Sequence, residues 1–401
     1  MYYMNLYLYL DPGTGSLLLY AIFGIATTLI FLIKRFFAKL KMKLFGKVTT
    51  INKHYEIVFH SEGSRYFSTF KNVVNEFINH KQKITYITAQ KDDVAFKIKS
   101  PYFEVICPGN EYQTYTFLNN LDADLVISTT PHLDIYMWKK SKKVKKYIHI
   151  FHSPTSIDFY EKYALSYYDI IMTAVKQTET AQKFLDKKRN LPLKEYYAIG
   201  CTYLDDMLLE CKNIKKETSD LTVLYAPSWG NRSSLNTIGK EIISSLLLQN
   251  VRVIFRPHPQ SFISDKELIN SIFDAFKDNN FFTTDTNSSG LQSMVNSDAL
   301  ITDFSGILFD YNILFKKPIF LASENINFFG YEIEDLSENM EFDIPYAKEN
   351  SIHLTLSNIS NIKQIIKNYS PLNKSNNYIY NLGTSSKILY ETINKIWKEI
   401  Q

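Results

Sequence analysis

The segment Arg256-Pro257-His258-Pro259 follows directly on the strand-like run VRVIF. Each proline fixes its own backbone angle and pushes the residue before it towards extended geometry, so Arg256 and His258 are expected to project from a stiff turn. Open α/β sheets bind ligands at the carboxyl ends of their strands. An arginine offers a charged, planar fork of donors, and a histidine can donate a hydrogen bond or exchange a proton near neutral pH. The turn therefore predicts a phosphate site, with an ordinary basic surface turn as the alternative.

Two more motifs place polar residues after strand-like runs. His152 lies in FHSPT, where small residues and a proline follow it, and YAPSWGNR breaks a run with a Pro/Gly loop that carries Ser228 and Arg232. Taken alone, His152 is more often a hydrogen-bonded core histidine, and Arg232 would be a solvated loop charge. Together with the Arg-Pro-His-Pro turn, these motifs predict a phosphate-handling cleft built from both halves of the chain.

The segment SDALITDFSG ends a strand-like run at Asp303 and opens a helix at Ser305 and Gly306. The free N–H groups and the positive dipole end of such a helix favour an anion. Serine and aspartate at these positions are more commonly plain helix caps. Because similar features follow successive strands in both halves, the pattern favours anion binding over capping alone.

Short β-branched or aromatic runs alternate with amphipathic stretches from residue 56 onward, which is typical of βαβ units and parallel sheets. Strands are predicted at 56–60, 84–88, 103–107, 125–128, 147–152 and 170–174 in the first half, and at 223–226, 251–255, 299–302 and 318–321 in the second. Helices are predicted at 66–79, 238–248, 308–315 and 385–400. The last of these is expected to pack back onto the first domain.

The predicted fold class is α/β, with two Rossmann-like domains that face a cleft and one transmembrane helix before them. The polar stretch 210–220 lacks apolar periodicity and is the expected linker. The predicted units are an anchor with a basic flank (1–45), an acceptor-side domain (50–210) and a nucleotide-donor domain (220–401).

Residues 17–33 (LLLYAIFGIATTLIFLI) carry no charge and are followed at once by Lys34 and Arg35. This run is about the minimum length of a transmembrane helix. The basic flank predicts a single pass through the bacterial cytoplasmic membrane, with everything after residue 34 in the cytoplasm. A buried helix of a soluble core is the alternative.

Composition excludes several classes of protein. The net charge of +4 is mild and its basic residues are spread out, so nucleic acid is not an expected partner. Three widely spaced cysteines suit a reducing compartment, and no Cys/His spacing resembles a zinc site. The Asp122-Ala123-Asp124 triplet reads as a turn before a strand, so no metal site is predicted. The need for a metal or another cofactor is left unknown.

The motifs RPHP, ITDFSGILFDY with a following KKP, and YAPSW with a trailing arginine, after an upstream His-small-Pro, resemble the CDP-glycerol glycerophosphotransferases. This is the teichoic acid primase and polymerase family, and the resemblance covers about residues 55 to 395. It implies a glycosyltransferase B fold of two Rossmann domains at the cytoplasmic face of a membrane. It also implies transfer of glycerol phosphate, or ribitol phosphate, from a CDP-activated donor to a hydroxyl, with release of CMP.

Carried onto this sequence, the resemblance implies that His152 takes the proton from the acceptor hydroxyl. His258 and Arg256 would hold the donor pyrophosphate and offset charge on the departing CMP. One departure from the family pattern concerns Ser153, which stands where the family usually has a glycine. Because glycine allows a close backbone approach, this change leaves the acceptor and the donor polyol open.

The same resemblance implies that Asp303, Ser305 and Gly306 hold a phosphate or the cytidine ribose, while Ser228 and Arg232 line the donor loop. The expected partners are a CDP-activated polyol donor and a membrane lipid or lipid-linked acceptor. Two alternatives stay open. One is a glycosyltransferase that uses a nucleotide-activated sugar for capsule or cell-surface polysaccharide, and the other is a non-catalytic, membrane-tethered scaffold of a capsule-assembly complex.

Overall fold

The computed structural model describes residues 53–230, 233–287, 289–322, 328–370 and 378–401, together with 25, 29–30, 32–34, 36–37, 40–41 and 43–47. Two parallel β-sheets, one from each half of the chain, form its centre. Each sheet has the strand order of a doubly wound domain, in which the first and fourth strands of the domain lie side by side.

The first sheet contains seven strands in the order β3-β2-β1-β4-β5-β6-β7. They are β1 His54–Ser61, β2 Ile84–Thr88, β3 Phe103–Ile106, β4 Asp122–Ser128, β5 Lys143–Ile150, β6 Ile170–Thr173 and β7 Glu195–Ala198. The helices of this half are α1 Phe67–Asn79, α2 Glu111–Asn119, α3 Lys176–Lys188 and α4 Thr202–Cys211. Short 3-10 helices occur at Ser64–Tyr66 and Val94–Lys97.

The second sheet contains six strands in the order β10-β9-β8-β11-β12-β13. They are β8 Thr222–Ala226, β9 Arg252–Phe255, β10 Phe282–Thr284, β11 Ala299–Thr302, β12 Ile319–Leu321 and β13 Ile352–His353. The helices are α5 Ser234–Leu248, α6 Ser261–Ser264, α7 Lys266–Phe276, α8 Leu291–Asn296, α9 Gly306–Phe315, α10 Asp343–Glu349, α11 Leu356–Ile359, α12 Ile362–Asn368 and α13 Ser385–Glu399. Two more 3-10 helices lie at Glu332–Asp335 and Glu338–Met340.

The central strands explain why these sequences form parallel sheets. Every residue of β2, β8 and β11 is buried, as expected for strands covered by helices on both faces. Such strands read as continuous apolar runs, and all ten predicted strands are present with small shifts at their ends. The strands β7, β10 and β13 were not predicted because they are short and sit at sheet edges, where few residues are buried.

The last helix, α13, packs on the first domain, as the sequence predicted. Its apolar residues join the core beneath α1, and Trp397 Nε1 donates to the buried carboxylate of Asp124 over 3.1 Å. At the other end of the helix, Asp205 accepts hydrogen bonds from the backbone N–H groups of Ser385 (3.3 Å) and Ser386 (2.8 Å). This carboxylate satisfies free donors and favours the positive end of the helix dipole.

Asp124 belongs to the Asp-x-Asp triplet, which opens β4 and does not precede it as a turn. Its carboxylate also binds Lys145 Nζ at 2.8 Å, at the amino-terminal end of the sheet. The triplet is therefore structural and lies away from the carboxyl ends of the strands.

The two halves are joined by buried ion pairs and a short strand contact. Arg189 at the end of α3 pairs with Glu332 and, at 2.8 Å, with Asp335. Next to it, Glu161 and Tyr331 form an isolated antiparallel bridge. Removing one partner of a buried pair leaves a charge uncompensated, so this cluster holds the halves in one relative position.

Most of the predicted transmembrane run 17–33 lies outside the described residues. Those described there are helical, and their apolar side chains, such as Leu29 and Ile30, are exposed. Within the described part of the chain, no helix has both the length and the apolar character needed to cross a bilayer.

Candidate active site

His152 lies two residues beyond the end of β5, at the carboxyl edge of the first sheet. Its ring packs edge-on against Tyr66, with ring centres 5.1 Å apart. Its Nδ1 atom is buried and has no hydrogen-bond partner among the described residues. Burial, followed by the nearby positive charge of Arg65, lowers the pKa of His152 to about 4. The imidazole is therefore neutral at physiological pH and can accept a proton.

His258 follows β9 at the matching edge of the second sheet. Its Nδ1 accepts a hydrogen bond from the backbone N–H of Gln260 over 3.1 Å, which assigns the proton of the neutral ring to Nε2. The ring stacks on Trp229 at 6.1 Å. Burial first, then the charges of Arg65 and Arg256, lowers its pKa to about 4. A neutral ring with its proton on Nε2 is a hydrogen-bond donor towards the cleft.

Arg256 is oriented by an ion pair with Asp285, in which Nη1 and Oδ2 are 2.7 Å apart. Ser293 Oγ donates to the same carboxylate oxygen over 2.5 Å. Gly290 allows this arrangement, because a Cβ at that position would lie 2.9 Å from Nε of Arg256. The guanidinium is thus placed by the second domain, and Asp285 offsets part of its charge.

Asp303 holds the donor loop in place. Its Oδ2 accepts hydrogen bonds from Ser228 N (2.9 Å), Ser228 Oγ (3.0 Å) and Ser234 N (3.0 Å). Its other oxygen, Oδ1, is buried and has no hydrogen-bond partner among the described residues. Burial raises the pKa of this carboxyl group. These contacts give Asp303 and Ser228 a structural part in the loop, while Arg232 lies outside the described residues.

Ser305 and Gly306 open α9. Ser305 is the N-cap residue, but its side chain makes no capping hydrogen bond. A Cβ placed on Gly306 would lie 3.8 Å from the Cβ of Ser153. The free N–H groups of this helix therefore meet the loop that carries His152, where they can bind an anion.

Together, these positions show which predicted residues the fold brings together. His152 and Ser153 from the first domain face Gly306 from the second. His258 and Arg256 follow the carboxyl end of β9, which is two positions from β11, the strand that precedes Gly306. Among the described residues, no three His, Cys, Asp or Glu side chains cluster closely enough to hold a metal ion.

The sequence reading missed Arg65, which follows β1 and stands next to Tyr66. Its guanidinium carbon lies 4.7 Å from the centre of the Tyr66 ring, and its positive charge contributes to the low pKa of both His152 and His258. The sequence did contain an indication of such a site, because Gly63, Ser64 and Arg65 follow a predicted strand just as the other motifs do. Residues 61–65 were left unassigned between the predicted strand 56–60 and the predicted helix 66–79.

Chemically, the arrangement offers a neutral base on one side and phosphate-directed donors on the other. Transfer of a phosphoryl group needs little covalent chemistry from a protein, so positioning and electrostatic stabilisation supply most of the rate. A base of this kind contributes about 10² to 10⁴ in rate. The site is therefore suited to moving a phosphate-bearing group onto a hydroxyl.

The fold is shared with several solved structures. The wall teichoic acid polymerase TagF superposes with a TM-score of 0.51 at 18% identity, over 94% of this chain and 98% of that chain. The UDP-GlcNAc 2-epimerase of Methanocaldococcus jannaschii, in complex with UDP-GlcNAc and UDP, gives 0.56 at 13% identity, over 86% and 100%. The Neisseria meningitidis epimerase bound to UDP-GlcNAc gives 0.54 at 14%, over 86% and 100%. These similarities support two Rossmann-like domains of the glycosyltransferase B type.

Curated proteins gave no sequence match. Residues 198–395, which include the second sheet and α13, match the family model of the CDP-glycerol:poly(glycerophosphate) glycerophosphotransferases. The resemblance inferred from the RPHP and TDFSG motifs is confirmed by this match. By this match, the carboxyl-terminal half of the chain resembles the CDP-glycerol glycerophosphotransferases, and the protein is a glycerophosphotransferase-like enzyme.

Proposed function

We propose that the protein transfers glycerol phosphate, or a related polyol phosphate, from a CDP-activated donor to a hydroxyl and releases CMP. The acceptor is a cell-surface polymer or its lipid-linked precursor. The observation that carries the proposal is the placement of two neutral histidines, His152 and His258, at strand ends of opposite domains, with the amino end of α9 beside the first.

In the proposed reaction, His152 takes the proton of the acceptor hydroxyl as its oxygen forms a bond to the outer phosphorus of the donor. The bond between that phosphorus and the bridging oxygen breaks, and CMP leaves with the electron pair. His258, Arg256 and the amino end of α9 stabilise the charge on the phosphate oxygens. The Nε2 proton of His258 is available for a hydrogen bond to the leaving group.

The polymeric acceptor is proposed because this chain is similar to proteins that are described as acting on such polymers. A solved structure of the same fold is that of a wall teichoic acid polymerase. The family description names poly(glycerophosphate) as the partner of CDP-glycerol. Both support a hydroxyl on a polyol phosphate chain, or on its primer, as the acceptor here.

The test is release of CMP from CDP-glycerol by the purified protein, with lipid-linked or polymeric acceptor extracts. UDP- and GDP-sugars serve as competing donors, since the fold is shared with UDP-sugar epimerases. A nucleotide at 100 times its Kd should raise the free energy of unfolding by about 2.7 kcal/mol. Stabilisation by UDP or GDP but not by CDP, with no release of CMP, would favour the sugar transferase.

We also propose that residues 17–33 anchor the enzyme in the bacterial cytoplasmic membrane, with the catalytic part in the cytoplasm. Support comes from the uncharged run and the basic flank that follows it. Removal of residues 1 to 45 should release the protein from membranes without loss of nucleotide binding. Retention of the truncated protein in the membrane fraction would contradict the anchor.

A further inference from the structure

Arg65 is presented by a firmly built turn at the carboxyl end of β1. The backbone N–H of Ser64 donates to Oε1 of Gln90 over 2.9 Å, and Ser64 Oγ accepts from the backbone N–H of Val94 over 3.0 Å. A Cβ at Gly63 would lie 2.5 Å from the same Gln90 oxygen, so the Gln90 side chain packs closely on the turn. Two hydrogen bonds thus connect the turn to the neighbouring loop, and the backbone position of Arg65 is set by the fold.

The side chain of Arg65 extends from that turn over the ring of Tyr66. Its guanidinium carbon lies 4.7 Å from the centre of the Tyr66 ring, whose edge contacts His152. The side chain is 63% exposed, and its ion pair with Glu62 is long, at 3.4 Å. A long pair at an exposed site contributes little, so the guanidinium is available to a stronger anion.

Arg65 and Arg256 differ in how strongly a neighbouring carboxylate neutralises their charge. Arg256 is 15% exposed and is held at 2.7 Å by the largely buried carboxylate of Asp285. Arg65 instead lies over Tyr66, whose ring packs against His152, and the next residue, Ser153, lies beside Gly306 of the second domain. The first domain therefore supplies an exposed cation close to the amino end of α9.

Building on the proposed function, we propose that Arg65 binds the outer phosphate of the nucleotide donor across the cleft. The nucleotide and its inner phosphate are held by the second domain, and Arg65 grips the phosphate that is transferred. Its planar fork of donors suits the non-bridging oxygens of a phosphate, and a phosphate replaces Glu62 as its partner.

This assignment has a consequence for product release. CDP-glycerol has both phosphates and reaches both domains, whereas CMP keeps only the inner phosphate. Once the outer phosphate has moved to the acceptor, Arg65 no longer holds the nucleotide. Arg65 thereby distinguishes the donor from the spent nucleotide, a distinction that the second domain alone does not provide.

The experiment compares the full-length wild-type protein with Arg65→Ala, Arg65→Lys and a matched control, Arg252→Ala. Arg252 lies at the opposite end of β9 and pairs with Asp220 at 3.0 Å, away from the site. The affinities for CDP and CMP are measured by calorimetry, and turnover by CMP release from CDP-glycerol. Thermal melting checks that each variant is folded.

We expect Arg65→Ala to weaken CDP about tenfold or more, since it loses a charge-assisted hydrogen bond, and to leave CMP unchanged. The kcat/KM for CDP-glycerol should fall about 100-fold, as when one preorganised donor is removed from a transition state. Arg65→Lys should recover part of both losses, because it keeps the charge but not the fork. Arg252→Ala should match the wild type.

Two results separate the inference from the proposed function. A folded Arg65→Ala protein whose ratio of CDP to CMP affinity equals that of the wild type overturns the role of Arg65. If the wild type binds CDP but releases no CMP from CDP-glycerol, the proposed function fails. A selective loss of CDP affinity in Arg65→Ala would then still support a clamp for nucleoside diphosphates.

Discussion

The two sides of the site differ in how far their polar groups are already paired. On the second domain, Oδ2 of Asp303 accepts three hydrogen bonds, Arg256 is paired with Asp285, and Nδ1 of His258 is bonded, although Oδ1 of Asp303 is buried with no hydrogen-bond partner among the described residues. On the first, Nδ1 of His152 is buried with no hydrogen-bond partner among the described residues. A preorganised side suits a ligand that is always the same, which in the proposed reaction is the nucleotide. The less satisfied side suits an acceptor that arrives with its own hydroxyl.

The largest effect expected from this contrast is on the unsatisfied side. His152→Ala should lower kcat by about 10² to 10⁴, because the base for the acceptor proton is lost. Donor affinity, measured with CDP, should stay nearly unchanged, since the proposed nucleotide site is on the other domain. His54→Ala is the matched control, because His54 is a half-exposed histidine of β1 that pairs with Asp122 at 2.7 Å. Turnover within a few-fold of the wild type would remove His152 from the mechanism.

The next effect concerns the preorganised side. Asp303→Ala leaves the N–H groups of Ser228 and Ser234 without their acceptor, at about 1 to 3 kcal/mol for each buried group. Both the melting temperature and CDP affinity should fall, since the donor loop loses its anchor. Asp303→Asn keeps one acceptor oxygen and should lose less. If CDP affinity is unchanged while stability falls, the loop does not shape the donor site.

A smaller and more selective effect is expected at Ser305. Its side chain makes no capping bond, so Ser305→Ala should not show the loss of about 0.5 to 2 kcal/mol that accompanies removal of a serine cap. Donor affinity should still fall if the hydroxyl faces the ligand. Calorimetry measures the donor affinity of this variant, and thermal melting measures its stability. A large drop in melting temperature would instead assign Ser305 to helix capping.

The smallest effect is expected in the dependence of stability and activity on pH. Both histidines have a pKa of about 4 in the folded protein, below the ordinary value of 6.5. The unfolded chain therefore binds more protons between these values, and their contribution to stability is lost as pH falls from 6.5 towards 4. For the same reason, kcat/KM should stay level from pH 8 down to about 6 and fall only at more acidic pH. An acid limb centred near 6.5 would contradict the burial of His152.

Arg65 links this test to the clamp that we propose. Its positive charge contributes to the low pKa of both histidines, so its removal should raise both values. In Arg65→Ala, the acid limb of the kcat/KM profile should therefore move to higher pH. A profile with an unmoved limb would place the guanidinium too far from the histidines to act on either.

Sequence reasoning succeeded where one physical rule decides the outcome. Buried parallel strands must be continuous apolar runs, so β8, β9 and β11 and the polar residues after them could be located without coordinates. The rule does not say what those polar residues bind. Asp303 was assigned to a ligand, yet its Oδ2 serves the neighbouring loop, a contact between residues 75 positions apart. Such pairing depends on tertiary structure.

The omission of Arg65 has a different cause. Its turn reads locally as the beginning of a helix, and a 3-10 helix, Ser64–Tyr66, is indeed present there. The role that we propose for Arg65 depends on the effect of its charge on His258, which lies in the other domain. No local pattern records the relative placement of two domains, so a residue that acts across the gap is found only from the structure.

The return of α13 to the first domain has a mechanical consequence. The chain passes from the first sheet to the second after α4, and at Tyr378 it is again beside the first domain, where Lys176 N donates to Tyr378 O over 3.0 Å. Two covalent connections therefore link the domains, and the buried pair of Arg189 and Glu332 adds a noncovalent link. The first domain is also discontinuous in sequence. A fragment that ends before residue 385 would leave the apolar face of α1 uncovered, so neither half is expected to fold as an independent piece.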